Sequence, residues 1–178
     1  MSTTTIEEQL EEVRQRIDDL EQRARTGPAG AKPRIQQHVD ALRQEEAAVQ
    51  AAFRRASEDA EEKLAQLRMR LDVGDRAADT EQSQDRSAFP RAVEEELRSW
   101  DTYLERLQAT AAGKVGAARE QAEAAIAELR RYRMTVAAQL TKLRETSTAR
   151  WSEQRALIDA ARELLEQKTD ALAAKLKR

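Results

Sequence analysis

Apolar residues recur along this chain at alternating spacings of four and three, the pattern of helices that bury one narrow seam. The first series is Ile6, Leu10, Val13, Ile17, Leu20 and Ala24, an unbroken heptad stripe. Thr5 and Glu8 stand in capping-box order at its start, and Gly27-Pro28 stops it. The pattern therefore predicts a helix over 5–26 and a loop over 27–33. A second series runs Ile35, Val39, Leu42, Glu46, Val49, Phe53, Ala56, Ala60, Leu64, Leu67 and Leu71. It predicts one long helix over 34–72, with a stutter where Ala56, Ala60 and Leu64 follow at two successive spacings of four. Residues 73–88 hold one large aliphatic side chain, Val73, and read as a polar, mobile linker.

The third series begins beyond Pro90 with Val93, Leu97, Trp100, Leu104, Leu107, Ala111 and Val115, and continues through Ala118, Ala122, either Ala125 or Ile126, and Leu129 to Val136, Leu140 and Leu143. The seam nearly keeps its phase through Gly113 and Gly116, so a continuous helix over 90–145 is expected. A further series, Trp151, Ile158, Leu165, Leu172 and Leu176, predicts a helix over 149–177, either folded back at Thr146-Ser147-Thr148 or continuous with the one before it.

Antiparallel partners have residue numbers that add to a constant. A total of 59 sets Leu20 on Val39, Ile17 on Leu42 and Val13 on Glu46. A total of 164 sets Leu71 on Val93 and Leu67 on Leu97, and a fold-back near Ser147 sets Val136 on Ile158 and Leu129 on Leu165. The expected fold is all-α: a single elongated antiparallel bundle or coiled coil of three to four long helices. Glu46, inside a seam, reads as an edge residue reaching for solvent or as a polar key that fixes register. His38 reads as a solvated flanking side chain.

Composition narrows the chemistry. Of 178 residues, 36% are charged and 3% aromatic, and 33 are Ala, so large apolar side chains suffice for seams rather than for a wide core. With no Cys and one His, zinc-thiolate sites, Cys nucleophiles and paired-His metal sites are excluded. No phosphate loop or nucleophile motif occurs, so no catalytic residue, cofactor or metal is expected and the chain reads as a non-enzyme. The N-terminus is acidic and lacks a secretory apolar core, which gives the cytoplasm as the expected address. Arg outnumbers Lys 24 to 7, a bias associated with GC-rich bacterial genomes. In composition and periodicity alone the chain resembles spectrin-like bundles and granule-coating or apolipoprotein-like helical proteins.

Two sets of candidate contact residues follow. If the first helix covers the second only as far as Phe53, then Leu64, Leu67, Leu71, Leu97, Trp100 and Leu104 form an uncovered apolar strip for a protein partner or a second copy. Arg130, Arg131, Arg133, Lys142 and Arg144 face few acids and offer an anion contact. The leading expectation is a helical scaffold or adaptor acting through protein–protein contact or self-association, as in a homodimer, with no small-molecule substrate. The alternatives are a peripheral binder of membrane or apolar granule surfaces, and a nucleic-acid-associated protein using 130–144, against which the net charge of −2 argues.

Overall fold

The computed structural model describes residues 3–55 and 59–176, with side chains described from Ile6. The described residues are almost wholly helical and contain no strand. They form α1 (Thr3–Thr26), α2 (Lys32–Arg54), α3 (Ala60–Gln82), α4 (Ala88–Ala112), α5 (Gly116–Glu145) and α6 (Trp151–Leu176). A single 3-10 turn, Thr148–Arg150, leads into α6. The chain divides into two compact units, Met1–Ser99 and Trp100–Arg178, and the boundary falls within α4.

The first unit is built on three helices of nearly equal length, 24, 23 and 23 residues, each about 35 Å long. The seam of α1 is buried as spaced: Leu10, Val13, Ile17, Leu20 and Ala24. The side chain of Thr5, the expected cap, and the seam position Ala56 lie outside the described residues. α1 and α2 run antiparallel, since Arg14 meets Glu46 while Asp18 and Glu21 meet Arg43.

The long helix expected over 34–72 is instead two helices. α2 ends at Arg54, with the Arg55 amide donating to the carbonyls of Ala51 and Ala52. α3 starts at Ala60 and runs back alongside α2, antiparallel to it and parallel to α1. The parallel arrangement shows in a constant offset: Arg68 bonds Glu12 and Gln9, Arg16 bonds Asp72 and Asp75, and Arg23 bonds Asp79 and Gln82, always 56 or 59 residues apart. The sequence reason is the polar stretch Arg54-Arg55-Ala56-Ser57-Glu58-Asp59, followed by Glu61 and Glu62 in the first turn of α3. Acids at that position favour a helix start. The two successive steps of four at this point were the trace of a break rather than of a stutter.

The expected linker over 73–88 is corrected in the same way. Residues 73–82 complete α3, and the connection to α4 is only 83–87. Val73, Ala77, Ala78 and Thr80 are fully buried. Leu64, Leu67, Leu71 and Ala78 join the core shared with α1 and α2. Arg70, Val73, Ala77 and Thr80 form a second buried face roughly a third of a turn round the helix. Gly74, within the expected linker, lies inside α3, and a methyl group there would meet Leu42 at 3.4 Å and His38 at 3.7 Å. The glycine marks close packing of α3 on α2.

In α4 the residues Phe89, Val93, Leu97, Trp100, Leu104, Leu107 and Ala111 are all buried. Asp85 begins this helix: its carboxylate accepts from the Ser87 amide (2.6 Å) and hydroxyl (2.8 Å), which hold it below the usual carboxylate range. The helix expected to continue to residue 145 breaks at 113–115. Val115 is extended and 84% exposed, and Gly116 takes a left-handed φ of +58° that only glycine adopts freely. Phase continuity misled here because Ala111 and Ala118 fit a seam whether or not a turn lies between them. Within the second unit, Arg133 bonds Asp101 and Arg130 bonds Gln108, so α5 runs back along the end of α4. The chain turns again at Thr146-Ser147, and α6 returns along α5. Val136, Leu140, Leu143, Ile158 and Leu165 fill that seam, and Gln154 donates to the Gln139 side chain across it at 2.7 Å. The fold-back placed at Ser147 is the one observed.

The two informative glycines predict substitutions of opposite sign. Gly74→Ala should stabilise by about 0.5–1 kcal/mol, because alanine favours the helix and its methyl group finds ordinary contacts. Gly116→Ala should destabilise by about 1–2 kcal/mol through backbone strain alone, since nothing lies near the added atom. Urea melts of the two variants check both signs. Limited trypsin digestion should cut after Arg86 and Lys114, in the connections, well before Arg76 inside α3.

Candidate interaction surfaces

In the first unit, polar side chains that the seams bury hold helices to one another. Glu46 sits in the α1–α2 seam with its side chain 9% exposed and accepts from Arg14 Nε at 2.7 Å. Arg43 and Gln50 also donate to its carboxylate. The geometry is that of a register key: slipping α1 against α2 by one heptad would strand this carboxylate among apolar neighbours. Arg34 pairs with Glu81 between α2 and α3 at 3.1 Å, with both side chains largely buried.

His38 is 1% exposed rather than a solvated flank, and its Nδ1 lies 2.9 Å from Nη1 of the fully buried Arg70. A guanidinium can only donate, so His38 accepts at Nδ1, and in this contact its proton sits on Nε2. Sequence pattern missed both residues. His38 stands one place before the seam residue Val39, and Arg70 one place before Leu71. Only the antiparallel return of α3 along α2 brings them together. In α6, Arg162, Glu166 and Thr169 are buried as well, with Arg162 donating to Asp159 at 2.8 Å and Thr169 to the Leu165 carbonyl at 2.7 Å.

The six residues expected to form an uncovered strip, Leu64, Leu67, Leu71, Leu97, Trp100 and Leu104, are all buried within the chain. The first three are covered because α3 folds back on α1 and α2. Trp100 packs in a tilted pair with the buried ring of Tyr103, centroids 6.2 Å apart. The strip is therefore core and not a docking surface. The basic set is dispersed. Arg133 makes a two-pronged bond to Asp101 at 2.8 and 2.7 Å, and Arg130 is held by Gln108, both toward α4. Arg131 and Lys142 point to solvent on another side of α5, and Arg144 is exposed near its end.

Cavities and exposed apolar side chains mark the surface of the described residues. In the first unit, two open cavities of about 430 and 330 Å³ flank Ile6, one between α1 and α2 beside Leu10 and Phe53, the other between α1 and α3 beside Leu64 and Met69. Their polar lining is Glu, Asp, Arg and Gln, set beside Ile6 and the neighbouring apolar side chains. In the second unit, the large apolar residues Val115, Met134, Leu157 and Leu164 are exposed. Among the described residues no cluster of His, Cys, Asp and Glu could hold a metal ion, and no helix is long and apolar enough to cross a membrane.

The buried His38–Arg70 contact predicts strong coupling. His38→Leu should cost about 1.5–3 kcal/mol in the native chain, where it removes an acceptor from a buried cation. In an Arg70→Leu background the same change should cost less than about 1 kcal/mol. A double-mutant cycle by chemical denaturation measures the difference, and additive costs would show that the contact carries no energy. No protein-family model matches the chain, and neither a characterised protein nor a solved structure is significantly similar to it.

Proposed function

We propose that the chain is a non-enzymatic helical scaffold or adaptor that works through coiled-coil protein–protein contact or self-association, in a bacterial cytoplasm. The observation that carries this reading is how its polar and apolar groups are used. Charged side chains that meet across helices do so to set register, as in Arg14–Glu46 and the evenly offset pairs of α1 and α3. Among the described residues the exposed large apolar side chains are few: Val115 at the α4–α5 turn, Met134 on a face of α5, and Leu157 and Leu164 on one face of α6. Such faces suit recognition of another helix, read at spacings of three, four and seven.

A peripheral membrane or granule binder needs a continuous apolar face sunk into the surface. The exposed apolar residues here stand apart, at the α4–α5 turn and on α5 and α6. A nucleic-acid role through 130–144 needs free guanidiniums on one side, whereas Arg130 and Arg133 are engaged by α4. Co-sedimentation with vesicles containing 30% anionic lipid (about the charge of a bacterial inner leaflet) and with duplex DNA, at low and physiological salt, tests the choice. The scaffold reading expects the chain to stay in the supernatant of both at physiological salt. Salt-resistant pelleting with either one would overturn it.

A further inference from the structure

Helix α6 carries a second stripe besides the seam that faces α5. Leu157 is 49% exposed and Leu164 is 36% exposed, seven residues apart and so on one side of the helix. Ala160, also exposed, and the half-buried Ala161 lie between them, and Glu153 and Lys168 extend the same side at its two ends, both exposed. This is a short heptad with leucines at successive equivalent positions, turned away from the core of its own chain.

The stripe complements itself when reversed. Set antiparallel against an identical helix with Leu157 opposite Leu164 of the second copy, it also places Ala160 opposite Ala161 and Glu153 opposite Lys168. One twofold axis between residues 160 and 161 generates every one of these pairs twice. Small residues meet at the axis, where the helices come closest, leucines flank them, and opposite charges close the ends. Shifting the register by one heptad either way leaves a single leucine pair on the axis and sets leucine or alanine against charged or unrelated positions. We propose that α6 is the interface of a homodimer in which two copies of this chain pair antiparallel along Leu157, Ala160, Ala161 and Leu164, with Glu153 and Lys168 as the reciprocal ion pairs. The proposal rests on the scaffold reading and gives it a partner and a site.

The charge pair makes the test specific. Light scattering across a concentration series should show a dimer for the native chain. Leu157→Glu should give a monomer, with its thermal melt and circular dichroism spectrum close to those of the native chain at matched low concentration, because the side chain is exposed in the single chain. Glu153→Lys and Lys168→Glu should each place like charges opposite one another twice, and so raise the dimer dissociation constant about tenfold. Combining them should restore most of the affinity, which a structural effect on α6 alone would not do. In this cysteine-free chain, Leu157→Cys with Leu164→Cys should form disulfides between copies under mild oxidation; within one helix the two positions lie two turns apart, too far to bridge. A monomeric native chain, or a dimer indifferent to Leu157→Glu and to the charge swaps, overturns the interface. A monomer that also stays clear of vesicles and DNA would leave the adaptor reading in place, with its partner a different protein.

Discussion

The first unit depends on how closely α3 can approach its neighbours. That helix is buried on two faces, one sharing the core of α1 and α2 and the other carrying Val73, Ala77 and Thr80. A helix enclosed in this way needs small residues where backbones draw together, and Gly74, Ala77 and Ala78 provide them. With α3 seated, Leu64, Leu67 and Leu71 lose contact with water, Arg70 meets His38, and the evenly offset arginines of α1 and α3 find their acids. Without it, α1 and α2 would be a two-helix hairpin with one wet side.

That dependence explains what could be read from the sequence. Large side chains at heptad spacing locate buried faces well: Leu10 to Ala24, Ile35 to Val49 and Val93 to Ala111 are buried where the spacing puts them. The turn at Ser147 is only half legible: Ile158 and Leu165 give Val136 and Leu129 partners if the chain folds back, but the same spacing also fits one continuous helix, because Thr146-Ser147-Thr148 contains no Gly or Pro. Helix breaks were harder, because a seam records phase and a turn need not disturb phase. The division between α2 and α3 has no stronger mark in the sequence than a run of polar residues and a doubled step of four. The segment 73–82 read as a linker because its core is made of Gly, Ala and Thr, which bury little area per residue and so resemble a loop in composition. Arg70 and His38 carried no local signal, being buried by a tertiary contact between helices that the pattern had joined into one.

The error in chain reversal also moved the candidate surface. With one long helix over 34–72, the leucines beyond Phe53 had nothing to cover them and looked like a docking strip. With the helix divided, they become the middle of a three-helix core, and exposed apolar side chains have to be sought elsewhere. They occur on α5 and α6, where Met134, Leu157 and Leu164 stand outside the seams. In the sequence the leucines of α6 are overshadowed by the stronger stripe of Ile158, Leu165 and Leu172 that runs beside them.

Each ion pair described between helices uses arginine as its cation: Arg14, Arg16, Arg23, Arg34, Arg43, Arg68 and Arg133. Donating to Glu46 holds Arg14 above the ordinary arginine range, and Arg16, against the lowering effect of burial, is held there by donating to Asp72 and Asp75. A cation whose folded pKa is raised contributes stability that is lost only as pH climbs through that value. These contacts therefore keep their charge through the alkaline range in which lysine pairs would fade. On the acid side the limit is set by the carboxylates, and burial pushes the Asp75 carboxyl up even beside Arg16, so that pair begins to lose its anion at a higher pH than a solvated aspartate would. The choice of arginine thus makes the fold's tolerance lopsided, broad toward base and narrower toward acid.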